Sequence, residues 1–251
     1  MNNDILKVRD LQKIYHTKKG EIKAIDNISF SIQDQEFVCI VGSSGCGKST
    51  LLSILAGLEE KTAGEVSWHK SDVRIGYMLQ NDALFPWLTV LDNALLGLKI
   101  KKEDTKENKK YVVSLLKTYG LGDFINKYPS ELSGGMRQRV ALIRTMAIKP
   151  DILLLDEPFS ALDYQTRLAV SDDVYKIIKK EKKTVIMITH DIAEAISLAD
   201  RIIVLSKRPG TIKKIYDVNL TEAESPITKR NAKEFSTYYS TIWKDLDINV
   251  S

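Results

Sequence analysis

Residues 42–50 read Gly42-Ser43-Ser44-Gly45-Cys46-Gly47-Lys48-Ser49-Thr50, and the frame around that stretch decides the fold. It fits the pattern G-x-x-x-x-G-K-[ST], with Gly42, Gly47, Lys48 and Ser49 in the fixed places. Before it runs Glu36-Phe37-Val38-Cys39-Ile40-Val41, an apolar run of strand length rich in β-branched and aromatic residues. After it runs Leu51-Leu52-Ser53-Ile54-Leu55-Ala56, a helix-compatible run that stops at Gly57. Strand, glycine loop and helix in that order predict a phosphate cradle. The glycines let successive backbone N–H groups turn inward, and the positive end of the helix dipole adds to them. In such a loop Lys48 reaches the β- and γ-phosphates of a nucleotide and the Ser49 hydroxyl reaches Mg²⁺.

Working outward, the length of 251 residues suits one large domain or two small ones. A hydrophobic share of 43% beside 28% charged residues is that of a globular chain able to bury a substantial core. The longest apolar runs, residues 152–155 and 185–188, are far too short to span a bilayer. The start, MNNDILKVRD, lacks the basic-then-apolar design of a secretory signal. Cys39 and Cys46 give neither a disulfide framework nor a metal spacing and read as free thiols of a reducing compartment. A net charge of +4 does not point to nucleic acid. Lysines cluster at residues 99–110 and 176–183, either as solvated helix faces or as a face toward an anionic membrane surface.

Residues 5–32 read as two strand-like runs around a turn at Lys18-Lys19-Gly20, predicting an antiparallel sheet beside the nucleotide core. Tyr15 closes the first run and by itself reads as an edge-strand aromatic. Short strands follow at residues 66–68 and 75–79. The texture then turns helical from about residue 85 to 149, with Tyr111, Val112, Leu115, Leu116 and Tyr119 at helical spacing and a helix over residues 136–147. This predicts a helical subdomain inserted into an α/β core. Beyond Pro150, strands at residues 152–155, 184–188 and 201–205 alternate with helices at 167–181 and 192–198. Such alternation implies a mostly parallel sheet covered by helices. Phe235, Tyr238, Tyr239, Ile242 and Leu246 predict a packed helix over residues 226–247. The whole is expected to be a single domain with no separate regulatory domain after it, since about 60 residues remain beyond His190.

Ile152-Leu153-Leu154-Leu155-Asp156-Glu157 is an apolar strand ending in two carboxylates. In a phosphate-loop protein Asp156 belongs at Mg²⁺ and Glu157 is placed to polarise an attacking water. His190 follows a strand at its carboxyl end, where parallel-sheet proteins bind ligands, whereas His16 and His69 read as structural. Gln80 closes the strand over residues 75–79 and on spacing alone is a turn residue before Asn81-Asp82.

Leu132-Ser133-Gly134-Gly135-Met136-Arg137-Gln138 resembles the signature of ATP-binding-cassette proteins, and Ser133 stands 23 positions before Asp156, as in that family. Ser160-Ala161-Leu162-Asp163 is similar to its D-loop. By the same resemblance Gln80 is the Q-loop glutamine, His190 the switch histidine, and Tyr15 the aromatic that stacks on adenine. Met136 stands where most members carry glutamine, although the importers that the chain most resembles often carry methionine there. The resemblance covers nearly the whole chain. It implies binding of ATP and Mg²⁺, with the nucleotide held by Tyr15, the loop Gly42 to Thr50, Gln80, Ser133, Gly134, Gly135 and Asp163, the metal by Ser49, Gln80 and Asp156, and catalysis by Lys48, Gln80, Glu157 and His190. An LSGG turn at a helix start is a second anion site. It makes sense when Ser133 and Gly135 of one copy close over the γ-phosphate held by a second copy.

The expected function is therefore the ATPase subunit of an importer at the cytoplasmic face of the membrane. A separate membrane permease subunit supplies the path, and an extracytoplasmic solute-binding protein belongs to the same system. The segment Leu84-Phe85-Pro86-Trp87-Leu88-Thr89-Val90 is local core of the helical region, a surface for the permease, or both. Residues 85–98 and Ser206-Lys207-Arg208-Pro209-Gly210 are similar to importers of nitrate, sulfonates, taurine and related compounds. Rival readings are a soluble cassette ATPase of translation or DNA repair, which would carry tandem cassettes or long coiled-coil insertions, and a regulatory nucleotide-binding module without turnover, against which Glu157 and His190 argue.

Overall fold

β1 (Asp4–Thr17) and β2 (Gly20–Gln33) form a long antiparallel pair running from Asp4↔Gln33 to Thr17↔Gly20. The computed structural model that carries this hairpin describes residues 4–18, 20–221 and 225–246, so Lys19 of the expected turn lies outside the described residues. The hairpin alternates as its sequence predicts, and Ile28, Phe30 and Ile32 are buried. After β3 (Phe37–Val41) and α1 (Lys48–Leu55) the chain returns as β4 (Ala63–Trp68), which pairs antiparallel with the other edge of β1.

The chain forms two units, one from residues 1–73 with 182–251 and one from residues 74–181. The second unit opens with β5 (Ile75–Met78), α2 (Val90–Ile100) and α3 (Lys106–Thr118). It continues with α4 (Gly134–Ala147), β6 (Ile152–Asp156) and α5 (Tyr164–Lys180). β5 and β6 pair in parallel, Ile75 opposite Ile152. α2, α3 and α4 close around Val90, Ala94, Leu98, Val112, Leu116, Val140 and Ile143, all at most 1% exposed. Thr89 and Thr105 cap α2 and α3 by accepting the N–H of the third helical residue, each cap contributing about 1 kcal/mol.

Back in the first unit follow β7 (Thr184–Ile188), α6 (Ile192–Leu198), β8 (Arg201–Leu205) and β9 (Ile212–Asp217). β3 lies between β7 and β8, parallel to both, and β9 runs antiparallel along β8. All five side chains of β3 are buried, which is why that strand reads as an unbroken apolar run instead of an alternating one. β9 escapes a sequence reading because Ile212-Lys213-Lys214-Ile215-Tyr216-Asp217 is a half-exposed edge strand with weak alternation.

The tail differs from expectation. In place of one helix it forms α7 (Pro226–Lys229) and α8 (Phe235–Asp245), and residue 247 lies outside the described residues. A Ser225–Thr228 capping box starts α7. Residues 230–234, Arg-Asn-Ala-Lys-Glu, then offer no large apolar side chain to hold a turn against the body, and short helices depend on such packing. Three other helices begin earlier than their apolar periodicity, α1 at Lys48, α4 at Gly134 and α5 at Tyr164. Their first turns are polar or glycine-bearing and leave no hydrophobic trace.

Candidate functional site

The phosphate loop sits between β3 and α1 in the first unit. Gly45 and Gly47 hold φ of 74° and 103°, the left-handed region where only glycine is unstrained. Gly42 has a different reason: a Cβ there would lie 2.7 Å from the Cys46 sulfur. The loop therefore turns its backbone inward around the Lys48 ammonium. That Nζ donates to the carbonyls of Gly42 at 2.7 Å and Ser43 at 3.1 Å and lies 4.0 Å from Cys46 Sγ. Lys48 is only 6% exposed, so its charge is held in place and largely dehydrated. Ser44, Gly45 and Ser49 face solvent, and Thr50 is half-buried. Cys39 and Cys46 are both buried free thiols, and burial pushes the Cys39 thiol well above its ordinary range.

Tyr15 lies beside this loop. Its hydroxyl is 3.5 Å from Thr50 Oγ1, and the Lys13 ammonium lies 4.8 Å from its ring centre. Lys13 itself is buried, bonded to Glu59 Oε1 at 2.5 Å and to the Glu60 carbonyl at 2.6 Å, a floor under Tyr15 that sequence reasoning missed. His190 leaves the end of β7 exposed, between Thr189 and Asp191, whose carboxylate caps α6 by accepting from Glu194 at 3.0 Å.

A second layer supports the loop from residues 206–210. Gly210 donates to the Ala24 carbonyl at 3.0 Å and accepts from the Asp26 N–H at 2.9 Å. A Cβ on Gly210 would collide with the Cys46 carbonyl, and one on Gly47 would lie 2.7 Å from the Ala24 carbonyl. The backbone at residues 24–26, Gly210 and the phosphate loop are thus stacked with no room for a side chain between them.

In the second unit, β6 delivers Asp156 and Glu157 at its carboxyl end, both half-buried. The Tyr77 hydroxyl stands 3.5 Å from Asp156 Oδ2. Glu157 leaves the strand with φ 45°, a left-handed backbone that is uncommon for a non-glycine residue and tends to occur at functional sites. Its carbonyl accepts from the Ser160 N–H at 3.2 Å and the Ser160 hydroxyl at 3.0 Å, which locks the turn. Gln80, at the end of the neighbouring β5, donates its side-chain amide to Glu157 Oε2 at 3.2 Å. Parallel pairing of β5 and β6 brings these two together across 77 positions of sequence.

Ser133 is the N-cap of α4, and its hydroxyl accepts from the Met136 N–H at 3.3 Å. Gly134 and Gly135 form the first turn of that helix. A Cβ on Gly135 would lie 2.8 Å from Val170 Cγ2, so the glycine is needed for the approach of α5 as well as for an open helix end. Asp163 caps α5 in the same way, and hydrogen bonds from Thr166 hold its carboxyl below the usual carboxylate range. The structure also shows a pair that sequence reasoning missed: Arg137 binds Asp82 at 2.9 Å and Arg144 binds the carbonyls of Asp82 and Ala83.

This set of elements defines a nucleotide-binding α/β protein of the phosphate-loop class. The family model for ABC transporters matches residues 25–160. The nitrate import ATP-binding protein of Synechocystis sp. is 42% identical over 233 residues, covering 91% of this chain and 88% of its own. The aliphatic sulfonates import ATP-binding protein of Bacillus thuringiensis is 40% identical, covering 85% and 86%. Among solved structures, a dimeric ATP-binding cassette in a post-hydrolysis state bound to ADP and Pi superposes with a TM-score of 0.72 at 33% identity, covering 85% of this chain and 99% of that one. The chain belongs to the ABC transporter family, whose ATP-binding proteins are ATPases.

Proposed function

We propose that the chain is the ATP-hydrolysing subunit of an importer for a small solute of the nitrate, sulfonate or taurine type or a related compound. The observation that carries the reading is the glycine loop closed around the Lys48 ammonium, with its inward backbone and buried charge. A glycine loop that leads into a helix N-terminus and holds an ammonium at its centre suits a strongly anionic ligand. Lys48 then neutralises the β- and γ-phosphates, the loop N–H groups from Gly42 to Thr50 bind them, and Tyr15 stacks on the base. Ser49, Asp156 and Gln80 supply hydroxyl, carboxylate and amide oxygens, the hard donors that Mg²⁺ takes. Mg²⁺ held by these oxygens would offset the charge of the phosphates.

Glu157 acts as general base on the attacking water, oriented by Gln80, and His190 contacts the γ-phosphate side. Because the Ser133–Gly135 helix start is a second anion site, two copies assemble about a two-fold axis, each closing over the nucleotide of the other with Asp163 at the junction. No helix among the described residues is long and apolar enough to cross a membrane. The path is supplied by a membrane permease subunit that the chain meets at the cytoplasmic face, served outside by a solute-binding protein. Phe85 and Trp87 are 38% and 67% exposed with ring centres 5.1 Å apart, while Leu84 packs on the helical core, so the segment 84–90 serves as core on one side and as permease surface on the other.

The test is twofold. Purified chain should release phosphate from MgATP. Cysteine placed at Trp87 in the assembled transporter should crosslink to cytoplasmic loops of the permease. A chain that binds ATP without turnover would leave only a nucleotide-binding module, and crosslinks formed elsewhere but not at position 87 would relocate the permease contact.

A further inference from the structure

We propose that Arg137, held by Asp82, is a positioning residue that couples the two ATP sites of the assembled dimer to each other; this rests on the ATPase reading above. The residues concerned lie on two segments of one unit. Gln80 and Asp82 are in the loop after β5, and Arg137 is on the first turns of α4, directly behind the Ser133 cap. Arg137 uses its planar fork on both sides. Its Nε donates to Asp82 Oδ2 at 2.9 Å, and its Nη1 donates to the Leu132 carbonyl at 2.8 Å, at the entry to the signature turn. One turn pair further along α4, Arg144 donates to the Ala83 carbonyl at 2.6 Å and the Asp82 carbonyl at 2.7 Å. Ala83 takes φ 45°, so the loop is held in a conformation that it would not adopt alone.

The consequence is a continuous link made of polar contacts and the short backbone stretch from Gln80 to Asp82. Glu157 is touched by Gln80, Gln80 is two residues from Asp82, Asp82 is bound by Arg137, and Arg137 is bound to the turn that carries Ser133. In the dimer the first end of this chain serves the nucleotide on its own subunit and the last end serves the nucleotide on the other. Loss or gain of a contact at Glu157 therefore moves the signature turn that clamps the opposite site. Arginine suits the task because its rigid fork holds two acceptors at a fixed separation, which lysine does not. The contacts are side chain to side chain and side chain to backbone across a short gap, a contiguous path whose coupling the variants below measure.

The experiment measures phosphate release against ATP concentration for the parent, Arg137→Ala, Asp82→Ala and the double variant, beside equilibrium binding of a fluorescent ATP analogue to dilute chain. The parent is expected to show a Hill coefficient approaching about 2, the number of coupled sites. Each single variant is expected to show a coefficient near about 1 and a maximal rate lowered about tenfold, with nucleotide affinity of the dilute chain unchanged. The double variant is expected to be no worse than either single one, since both remove the same link. If either alanine variant melts well below the parent, Asp82→Asn, which keeps the shape and removes the charge, is measured in its place. An active parent with a coefficient of one, variants that keep the parent's coefficient, or additive losses in the double variant would overturn the coupling. A parent with no turnover would instead overturn the ATPase reading, so the two failures are distinct.

Discussion

Glu157 and Lys48 are held by opposite means, and that difference sets what their substitution does. Lys48 is nearly dehydrated and satisfied by two loop carbonyls, so its charge is fixed at the centre of the anion cradle. Lys48→Ala should weaken ATP binding by at least about tenfold and abolish phosphate release, because the main positive charge facing the β- and γ-phosphates is gone. Equilibrium binding of a fluorescent ATP analogue checks the first half and a phosphate assay the second; unchanged affinity would remove Lys48 from the binding role. The place of Lys48 was legible in the sequence because a contiguous nine-residue motif contains it. Asp156 and Glu157 were legible because they end an apolar strand. Arg137 and Asp82 were not, since 55 positions separate them and nothing local marks an arginine as bonded instead of solvated. Lys13 escaped for the same reason, its burial depending on Glu59 and the Glu60 carbonyl, far along the chain.

Elements are set by packing, and the glycines show where packing leaves no room. Strands such as β3, β7 and β8 were readable because full burial writes a continuous apolar run. Helix starts were misplaced by a few residues because caps such as Ser133 and Asp163 precede polar turns, and the tail divides because residues 230–234 carry no anchor. The resemblance to importers that drew notice to residues 206–210 acquires a physical basis in Gly210, whose Cα lies against the Cys46 carbonyl. A methyl group there must displace either the phosphate loop or the 24–26 backbone to which Gly210 is hydrogen-bonded. Gly210→Ala should therefore raise the Kd for ATP by about tenfold with a smaller effect on melting temperature, since the loop is less deeply packed than the strands. Calorimetric ATP titration beside a thermal melt separates the two; a variant with parental affinity would show that residues 206–210 do not brace the loop.

At the scale of the molecule the reading proposed above gives the chain two anion sites, and a dimer with ATP as its joint uses both. On that reading Glu157 acts close to the γ-phosphate, and like charges in a dehydrated site repel. Glu157→Gln removes one of the two charges while leaving the shape, and the amide keeps a polar group within reach of Gln80, which now touches Oε2 at 3.2 Å. On the role proposed above it also removes the base that orients and deprotonates water. Turnover should fall by about two to four orders of magnitude, the usual size of an acid–base contribution. Binding through Lys48, Ser49 and Asp156 should persist, so the variant should accumulate as an ATP-filled dimer. Gel filtration with and without MgATP, beside phosphate release, reads both effects from one preparation. Hydrolysis at the parental rate would remove Glu157 as base. A slow variant that stays monomeric at saturating ATP would keep Glu157 as base and refute charge repulsion as what opens the dimer.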